Sequence, residues 1–185
     1  AAMRVLRDLP GASVVANLST SRMIDDLVKA RGGQVHRSAM GEANVAALMR
    51  ARDAAIGGEG NGGVILPDVT WVRDSLSGMA LVLDLMRVED RPLSAIINSM
   101  PAYVIVKEKF NLARREDLDQ AFERLRTGFA GERLNDADGL RIDLDDCWAH
   151  VRASNTEPIA RIIVEARDSS SAQALLEQVR QVAGL

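Results

Sequence analysis

The chain has 185 residues, and its 23 Lys and Arg against 26 Asp and Glu give a formal charge of −3. This length allows one ordinary domain or two small ones, and the near-neutral balance disfavours a protein that binds nucleic acid or an anionic membrane surface. No segment approaches the roughly 18 apolar residues of a membrane span, and a single cysteine, Cys147, favours a reducing compartment. We therefore predict a soluble, cytoplasmic protein.

The first half of the chain alternates short apolar strands with helices. One helical pattern begins at residue 23 and stops at Gly32–Gly33, and a second spans residues 44–51. A third helix begins at Asp74 or Ser75 and runs to Arg87. Strands are predicted over residues 13–18, 34–38, 54–56 and 64–66. This alternation predicts a small three-layer α/β domain over residues 1–92.

The second half has a different pattern of predicted helices and strands. It starts after the third helix, which is ended by Asp90, Arg91 and Pro92. Helices are predicted over residues 115–126 and 169–182, and strands over 103–107, 159–166 and on both sides of a turn at 145–146. The order β-α-β-β-β-α predicts an α+β domain over residues 93–185, in which helices cover one face of an antiparallel sheet.

Five glycines crowd into the segment GGEGNGG, residues 57–63. They allow a ligand to approach the backbone, and they leave Glu59 and Asn61 as functional groups. A carboxylate that accepts and a carboxamide that donates and accepts suit the hydroxyls of a sugar ring. The segment also fits G-x-G-x-x-G, but extended VILP follows where a dinucleotide loop would open a helix. A flexible connector is the plain alternative.

A second polar segment, RASNTEPIAR, joins two predicted strands over residues 152–161. It gathers small hydroxyl and amide side chains in one turn between Arg152 and Arg161. Such a turn with flanking guanidinium groups indicates an anion site, because a guanidinium offers a two-pronged fork to a phosphate. The alternative is an ordinary polar hairpin turn whose arginines pair with Glu157 and Asp168.

Both segments resemble loops of the α-D-phosphohexomutase superfamily. GGEGNGG is similar to the sugar-recognition loop, usually G-E-x-S-G-H, and RASNTEP is similar to the phosphate-binding loop, typically R-x-S-G-T-E-P. Their order and separation also match the third and fourth of the superfamily's four domains. The resemblance implies an α/β third domain followed by a C-terminal domain of the TBP-like type.

The resemblance also implies roles for individual residues. Glu59 and Asn61 would contact the sugar hydroxyls of a hexose phosphate, with Asn61 at the usual serine position and Gly63 at the position of the loop's histidine. Residues that would hold the substrate's phosphate are Arg152, Ser154, Asn155, Thr156 and Arg161. The departures from the common pattern resemble archaeal-type members with G-E-G-N-G-G, and they leave open whether the hexose is mannose, glucose or glucosamine.

The superfamily's phosphoserine loop and its Mg²⁺ loop, D-G-D-x-D-R, belong to the first two domains and do not occur in these 185 residues. The resemblance implies a parent enzyme that interconverts hexose 6-phosphate and hexose 1-phosphate through a hexose 1,6-bisphosphate, with Mg²⁺ held by the second domain. We therefore assign no catalytic or metal-binding residue here and expect no activity without the N-terminal domains. A stand-alone, non-catalytic sugar-phosphate-binding or regulatory module is the alternative.

Other polar residues are expected to have structural roles. His150 lies on the same strand face as Arg152, but we expect it to pack rather than to transfer protons. Arg73 and Asp74 are expected at the entry to a helix, and the pair Asp25–Asp26 is expected to be solvated on a helix surface.

Overall fold

The computed structural model describes residues 1–111, 115–154 and 159–185. The chain divides into two compact units, residues 1–102 and 103–185. The division falls later than the sequence boundary between residues 92 and 93, because the short helix Leu93–Asn98 packs on the helix Ser75–Glu89 and stays with the first unit. The predicted class is confirmed: a mixed α/β unit precedes an α+β unit.

The first unit is built on a four-stranded sheet with the order β2-β1-β3-β4. Its strands are β1 (Ser13–Asn17), β2 (Gln34–Ser38), β3 (Ile56–Gly58) and β4 (Val64–Ile65). Its helices are α1 (Ala2–Asp8), α2 (Met23–Lys29), α3 (Glu42–Ala51), α4 (Ser75–Glu89) and α5 (Leu93–Asn98). Strands β1, β2 and β3 are parallel, and β4 pairs antiparallel with β3.

Successive residues of β1 face opposite sides of this sheet, as the pleat requires. Val15 packs with Val45 and Met49 of α3 on one side. Val14 packs on the other side in a cluster that includes Leu6 of α1 and Val28 of α2. Helices therefore cover both faces of the sheet, which confirms the predicted three layers.

The second unit is an antiparallel sheet with the order β5-β9-β8-β7-β6. Its strands are β5 (Val104–Asn111), β6 (Arg133–Asn135), β7 (Leu140–Asp143), β8 (Trp148–Ala153) and β9 (Ile159–Ala166). Helices α6 (Arg115–Gly128) and α7 (Ser169–Ala183) share one buried cluster with one face of this sheet, and Leu125 and Leu176 are among its members. The predicted arrangement with helices on one face is confirmed.

Two described elements are not predicted by the sequence analysis: the helix α5 and the edge strand β6. The helix has 6 residues and the strand has 3, so neither displays a full apolar period. Strand β3 also runs further than expected into the glycine-rich segment, because its position is set by pairing with β1. In the described parts of the chain, no helix combines the length and apolar character needed to cross a membrane.

Helix α7 provides a test of capping through acid titration. The side chains of Ser170 and Ser171 and the backbone N–H of Ser171 donate to Asp168, and they lower the pKa of its carboxyl from 3.8 to about 2. Because the folded carboxylate binds a proton less tightly than the unfolded one, its stabilisation is present above pH 3.8 and disappears as the pH falls toward 2.

We predict that Asp168→Asn lowers the melting temperature near neutral pH and that the difference from the wild-type chain vanishes at about pH 2. Asparagine keeps an acceptor oxygen for the cap but cannot ionise. The measurement is thermal unfolding followed by circular dichroism across this pH range. Asp119→Asn, at an exposed site on α6, is the matched control, and an equal, pH-dependent change in both variants would contradict the prediction.

Candidate functional site

The glycine-rich loop, residues 57–63, turns the chain back from β3 into β4. The backbone N–H of Glu59 donates to the carbonyl of Gly63 at 3.1 Å, and that of Gly62 donates to the carbonyl of Glu59 at 3.1 Å. The Gly63 N–H donates to Oδ1 of Asn61 at 3.1 Å. This turn is a hairpin between two strands and not a strand-to-helix turn, so the loop does not present a helix N-terminus to a dinucleotide.

The carboxylate of Glu59 is buried at the base of this loop, where its side chain is 7% exposed. Its Oε1 accepts a hydrogen bond from Nδ2 of Asn17 at 2.9 Å and from the backbone N–H of Gly41 at 3.2 Å. Its Oε2 lies 3.2 Å from Nη1 of Arg73. These donors compensate the loss of water around the carboxylate and fix its orientation.

The side-chain amide of Asn17 is oriented by the hydrogen bonds that its oxygen accepts, so its nitrogen faces Glu59. Oδ1 of Asn17 accepts from the Ser19 N–H at 3.1 Å and from Oγ1 of Thr20 at 2.8 Å, which leaves the amide nitrogen directed at Glu59. Arg37 secures the same turn through the carbonyls of Asn17 at 3.0 Å and Thr20 at 2.7 Å. Asn17 therefore belongs to the site, although the sequence reading did not single it out.

Two charged residues make contacts that the sequence analysis does not predict. Asp25 has a side chain that is 40% exposed on α2, and it also forms an ion pair with Arg37, which holds the turn after β1. Arg73 is more than a helix-entry residue: its Nε donates to Glu42 at 2.6 Å while its Nη1 reaches Glu59. Asp74, in contrast, caps α4 by accepting from the backbone N–H groups of Leu76 and Ser77, as expected.

The second candidate segment connects β8 to β9, and its two flanking arginines lie on the sheet face opposite the helices. Arg152 pairs with Arg161, and Arg161 pairs with Lys109 of β5. Directly paired residues of antiparallel strands point to the same face, so these three cations form one row across three strands, called here the cation row. Lys109 was not found from sequence, because its place in the row depends on the pairing of β5 with β9.

The connection beyond this row is described in part. The Ser154 N–H donates to the carbonyl of Ile159 at 2.9 Å, which continues the pairing of β8 with β9 by one step. Asn155 and Thr156 lie outside the described residues. Arg152 and Ser154 therefore stand on one side of the connection and Arg161 on the other, as the segment's sequence predicts.

The turn before β7 contains Asp138 and Gly139 and lies against Arg152. Oδ1 of Asp138 lies 3.4 Å from Nε of Arg152, and the Asp138 carbonyl lies 2.6 Å from Nε2 of His150. Since a carbonyl only accepts, Nε2 carries the proton of His150. Burial lowers the pKa of His150 to about 4, so the ring is neutral at neutral pH and has a structural role.

The same face carries a buried polar arrangement next to His150. Nε1 of Trp148 donates to Oε1 of Glu165 at 2.7 Å, and both side chains are fully buried. The guanidinium of Arg141 stacks over the Trp148 ring, 4.2 Å from its centre, and chelates Asp143 at 2.7 and 3.0 Å. These contacts hold β7, β8 and β9 in register beneath the cation row.

The described residues do not fit a resident metal ion. No group of three or more His, Cys, Asp or Glu side chains among them is arranged as a metal site. The acidic side chains near both loops are occupied instead by arginine, amide and backbone donors.

Comparison with known proteins assigns the family. The sequence model described as "Phosphoglucomutase/phosphomannomutase, alpha/beta/alpha domain III" matches residues 1–103, and the model for the C-terminal domain of the same family matches residues 102–182. The chain belongs to the phosphoglucomutase/phosphomannomutase family. Its two units correspond to the third and the C-terminal domain of that family.

Individual relatives agree with this assignment. A "Probable phosphoglucosamine mutase" of Methanopyrus kandleri is 35% identical over 95% of this chain and 39% of its own length. A phosphoglucomutase/phosphomannomutase family structure from Burkholderia thailandensis has 25% identity and a TM-score of 0.80, and it covers 99% of this chain and 40% of that one. An Aspergillus fumigatus N-acetylphosphoglucosamine mutase, solved with glucose 1,6-bisphosphate, shares the fold at 14% identity and a TM-score of 0.68 over 98% of this chain and 41% of its own. The chain therefore spans about two fifths of the length of these relatives.

In this member of the phosphoglucomutase/phosphomannomutase family, Gly139 sets how closely the turn before β7 approaches Arg152. Gly139 has a φ of +75°, and a β-carbon there would lie 2.3 Å from the Val151 carbonyl oxygen and 2.8 Å from Cα of Arg152. We predict that Gly139→Ala destabilises the second unit by about 1–3 kcal/mol, because the strain falls on backbone atoms that cannot rotate away.

The measurement is urea unfolding followed by the fluorescence of Trp148, in a Trp71→Phe background so that only the second unit reports. Gly131→Ala is the control, since a β-carbon at Gly131 meets nothing within 4 Å. An unfolding midpoint of Gly139→Ala equal to that of Gly131→Ala would show that the close approach has no energetic importance.

Proposed function

We propose that this chain binds the hexose phosphate substrate of a phosphohexomutase. The first unit would bind sugar hydroxyls through Glu59 and Asn61. The second unit would bind the phosphate that is not reacting, through Arg152, Ser154, Asn155, Thr156 and Arg161. The observation that carries the proposal is the cation row, in which Arg152 and Arg161 are directly paired beside the polar connection of β8 and β9.

Like charges placed directly opposite each other destabilise an antiparallel pair. The cation row contains three such charges, and Oδ1 of Asp138 lies 3.4 Å from Nε of Arg152. A phosphate dianion would be attracted by this row and would accept bidentate hydrogen bonds from guanidinium groups. The arrangement therefore favours a phosphate over a neutral ligand.

The glycine-rich loop suits the other part of such a substrate. Glu59 is held as a fixed acceptor, and Asn61 is exposed at the loop tip with an amide that can donate and accept. Hydroxyl groups of a hexose provide both the donors and the acceptors that these side chains require. Neither side chain needs to contact the phosphorus atom that reacts.

We infer that the residues described here hold the substrate and that phosphoryl transfer is performed by other domains. In the reaction implied by the family, a phosphoserine and a bound Mg²⁺ act on the substrate through a hexose 1,6-bisphosphate. Neither the phosphoserine loop nor the D-G-D-x-D-R loop occurs in these 185 residues. The role of the chain is therefore binding and orientation, which position the reacting groups for transfer elsewhere.

Arg152 provides the direct test of phosphate binding. We predict that Arg152→Ala weakens binding of glucose 1-phosphate and of inorganic phosphate by about tenfold or more, because it removes a charge-assisted hydrogen bond. The measurement is an amide-resolved NMR titration of the chain, with signals of residues 152–161 as the readout. Arg133→Ala, an exposed arginine on β6 of the same sheet, is the matched control. Equal losses in both variants, or wild-type signals that do not move at millimolar ligand, would contradict the proposal.

Glu59 provides the corresponding test of sugar binding. We predict that Glu59→Gln weakens glucose 1-phosphate, mannose 1-phosphate and glucosamine 1-phosphate by about tenfold while leaving inorganic phosphate unchanged. Glutamine keeps the shape of the side chain but removes the charge that attracts hydroxyl donors. In the same titration, a parallel loss of inorganic phosphate binding would mean that Glu59 supports the fold and does not contact the sugar.

A further inference from the structure

Arg73 fills the space beside the glycine-rich loop that a side chain at position 63 would occupy. A β-carbon built on Gly63 would lie 2.2 Å from Cδ of Arg73 and 3.3 Å from Oδ1 of Asn61. The stem of Arg73 and the amide of Asn61 therefore flank the same point of the loop. Glycine at position 63 leaves this space free for the arginine stem.

The guanidinium of Arg73 extends from this stem toward two carboxylates. Nε donates to Glu42 at 2.6 Å, and Nη1 lies 3.2 Å from Glu59. The hydrogen bond to Glu42 and the charge of Glu59 raise the pKa of Arg73, so the group is always charged. The Arg73 side chain is 42% exposed, whereas Glu59 is 7% exposed. Arg73 thus presents the more accessible polar group of this pair.

The segment that carries Arg73 is anchored on both sides. The next residue, Asp74, donates its backbone N–H to the Val64 carbonyl at 2.8 Å and caps α4 with its side chain. Trp71 packs on the core next to α3, and Arg50 stacks over its ring, 4.4 Å from the centre. A guanidinium that is fixed before a ligand arrives loses little conformational freedom on binding.

We propose that Arg73 is itself a sugar-binding residue, whose Nη2 donates a hydrogen bond to the oxygen of a hexose hydroxyl beside Glu59. Nη2 makes no hydrogen bond or ion pair with the described residues, whereas Nε and Nη1 are both engaged. Arginine only donates and a carboxylate only accepts, so Arg73 and Glu59 together match a hydroxyl group, which does both. The assignment deepens the proposed function and rests on the glycine-rich loop binding the sugar.

The test is isothermal titration of the chain with glucose 1-phosphate and with monodeoxy analogues that each lack one hydroxyl. We expect Arg73→Ala to weaken glucose 1-phosphate about tenfold and to have no effect on one particular analogue, because the lost bond is already missing there. Gly63→Ala, whose β-carbon displaces the arginine stem, should weaken the same ligands. Arg87→Ala, an exposed arginine on α4, is the control and should leave every affinity unchanged.

A second comparison separates direct contact from support of Glu59. If Arg73 touches the sugar, the double variant Glu59→Gln/Arg73→Ala binds glucose 1-phosphate more weakly than Glu59→Gln alone. If the double variant binds as well as Glu59→Gln, Arg73 acts only through Glu59 and the assignment is wrong. An equal loss for every analogue also overturns it. If the wild-type chain binds hexose phosphates no more tightly than it binds inorganic phosphate, the loop does not bind the sugar. This assignment is then wrong as well.

Discussion

A carboxylate taken out of water needs compensating donors, and this requirement organises the first unit around Glu59. Its partners come from the end of β1, from the start of α3 and from the segment before α4, through Asn17, Gly41 and Arg73. An unpaired buried charge would cost several kcal/mol, so these segments must approach the glycine-rich loop together for the unit to be stable. The loop is rich in glycine, yet its one carboxylate is among its most firmly held groups.

In the second unit, the governing constraint is the register of the antiparallel sheet. Pairing of β8 with β9 and of β9 with β5 brings Arg152, Arg161 and Lys109 into one row, whatever their mutual repulsion. The buried hydrogen bond between Trp148 and Glu165 joins one residue pair of the same register and stabilises it. Under the proposed function, this register places cationic side chains where a phosphate would accept their hydrogen bonds.

Local patterns in the sequence were sufficient to predict many of the helices and strands. The strands over residues 34–38 and 159–166 and the start of the last helix at residue 169 are found where periodicity and capping residues predict them. The short elements α5 and β6 were not predicted because each depends on packing with neighbours and shows no full period.

Some residues of the candidate site can be found from local sequence motifs, whereas others can be found only from the tertiary structure. Glu59, Asn61 and the two arginines of the β8–β9 connection stand in recognisable motifs, and their proposed contacts with substrate remain predictions. Asn17, Lys109 and the second role of Arg73 required the tertiary structure. Arg73 reaches Glu42 across 31 residues of sequence, and no periodicity connects two such positions. A polar residue that closes an apolar strand, as Asn17 does, is the one signal that sequence offered.

The separation of sugar and phosphate recognition between two units has a chemical reason under the proposed function. A substrate that passes through a bisphosphate must return with its opposite end toward the reacting centre, so the same groups have to accept two orientations. A paired acceptor and donor, as Glu59 and Arg73 provide, match a hydroxyl by its ability to donate and accept, and this match does not depend on which carbon carries it. A row of cations likewise attracts a phosphate by charge, at either end of the sugar. Under the proposed function, recognition built from these two elements would be specific for hexose phosphates as a class and would tolerate the reversal that the reaction demands.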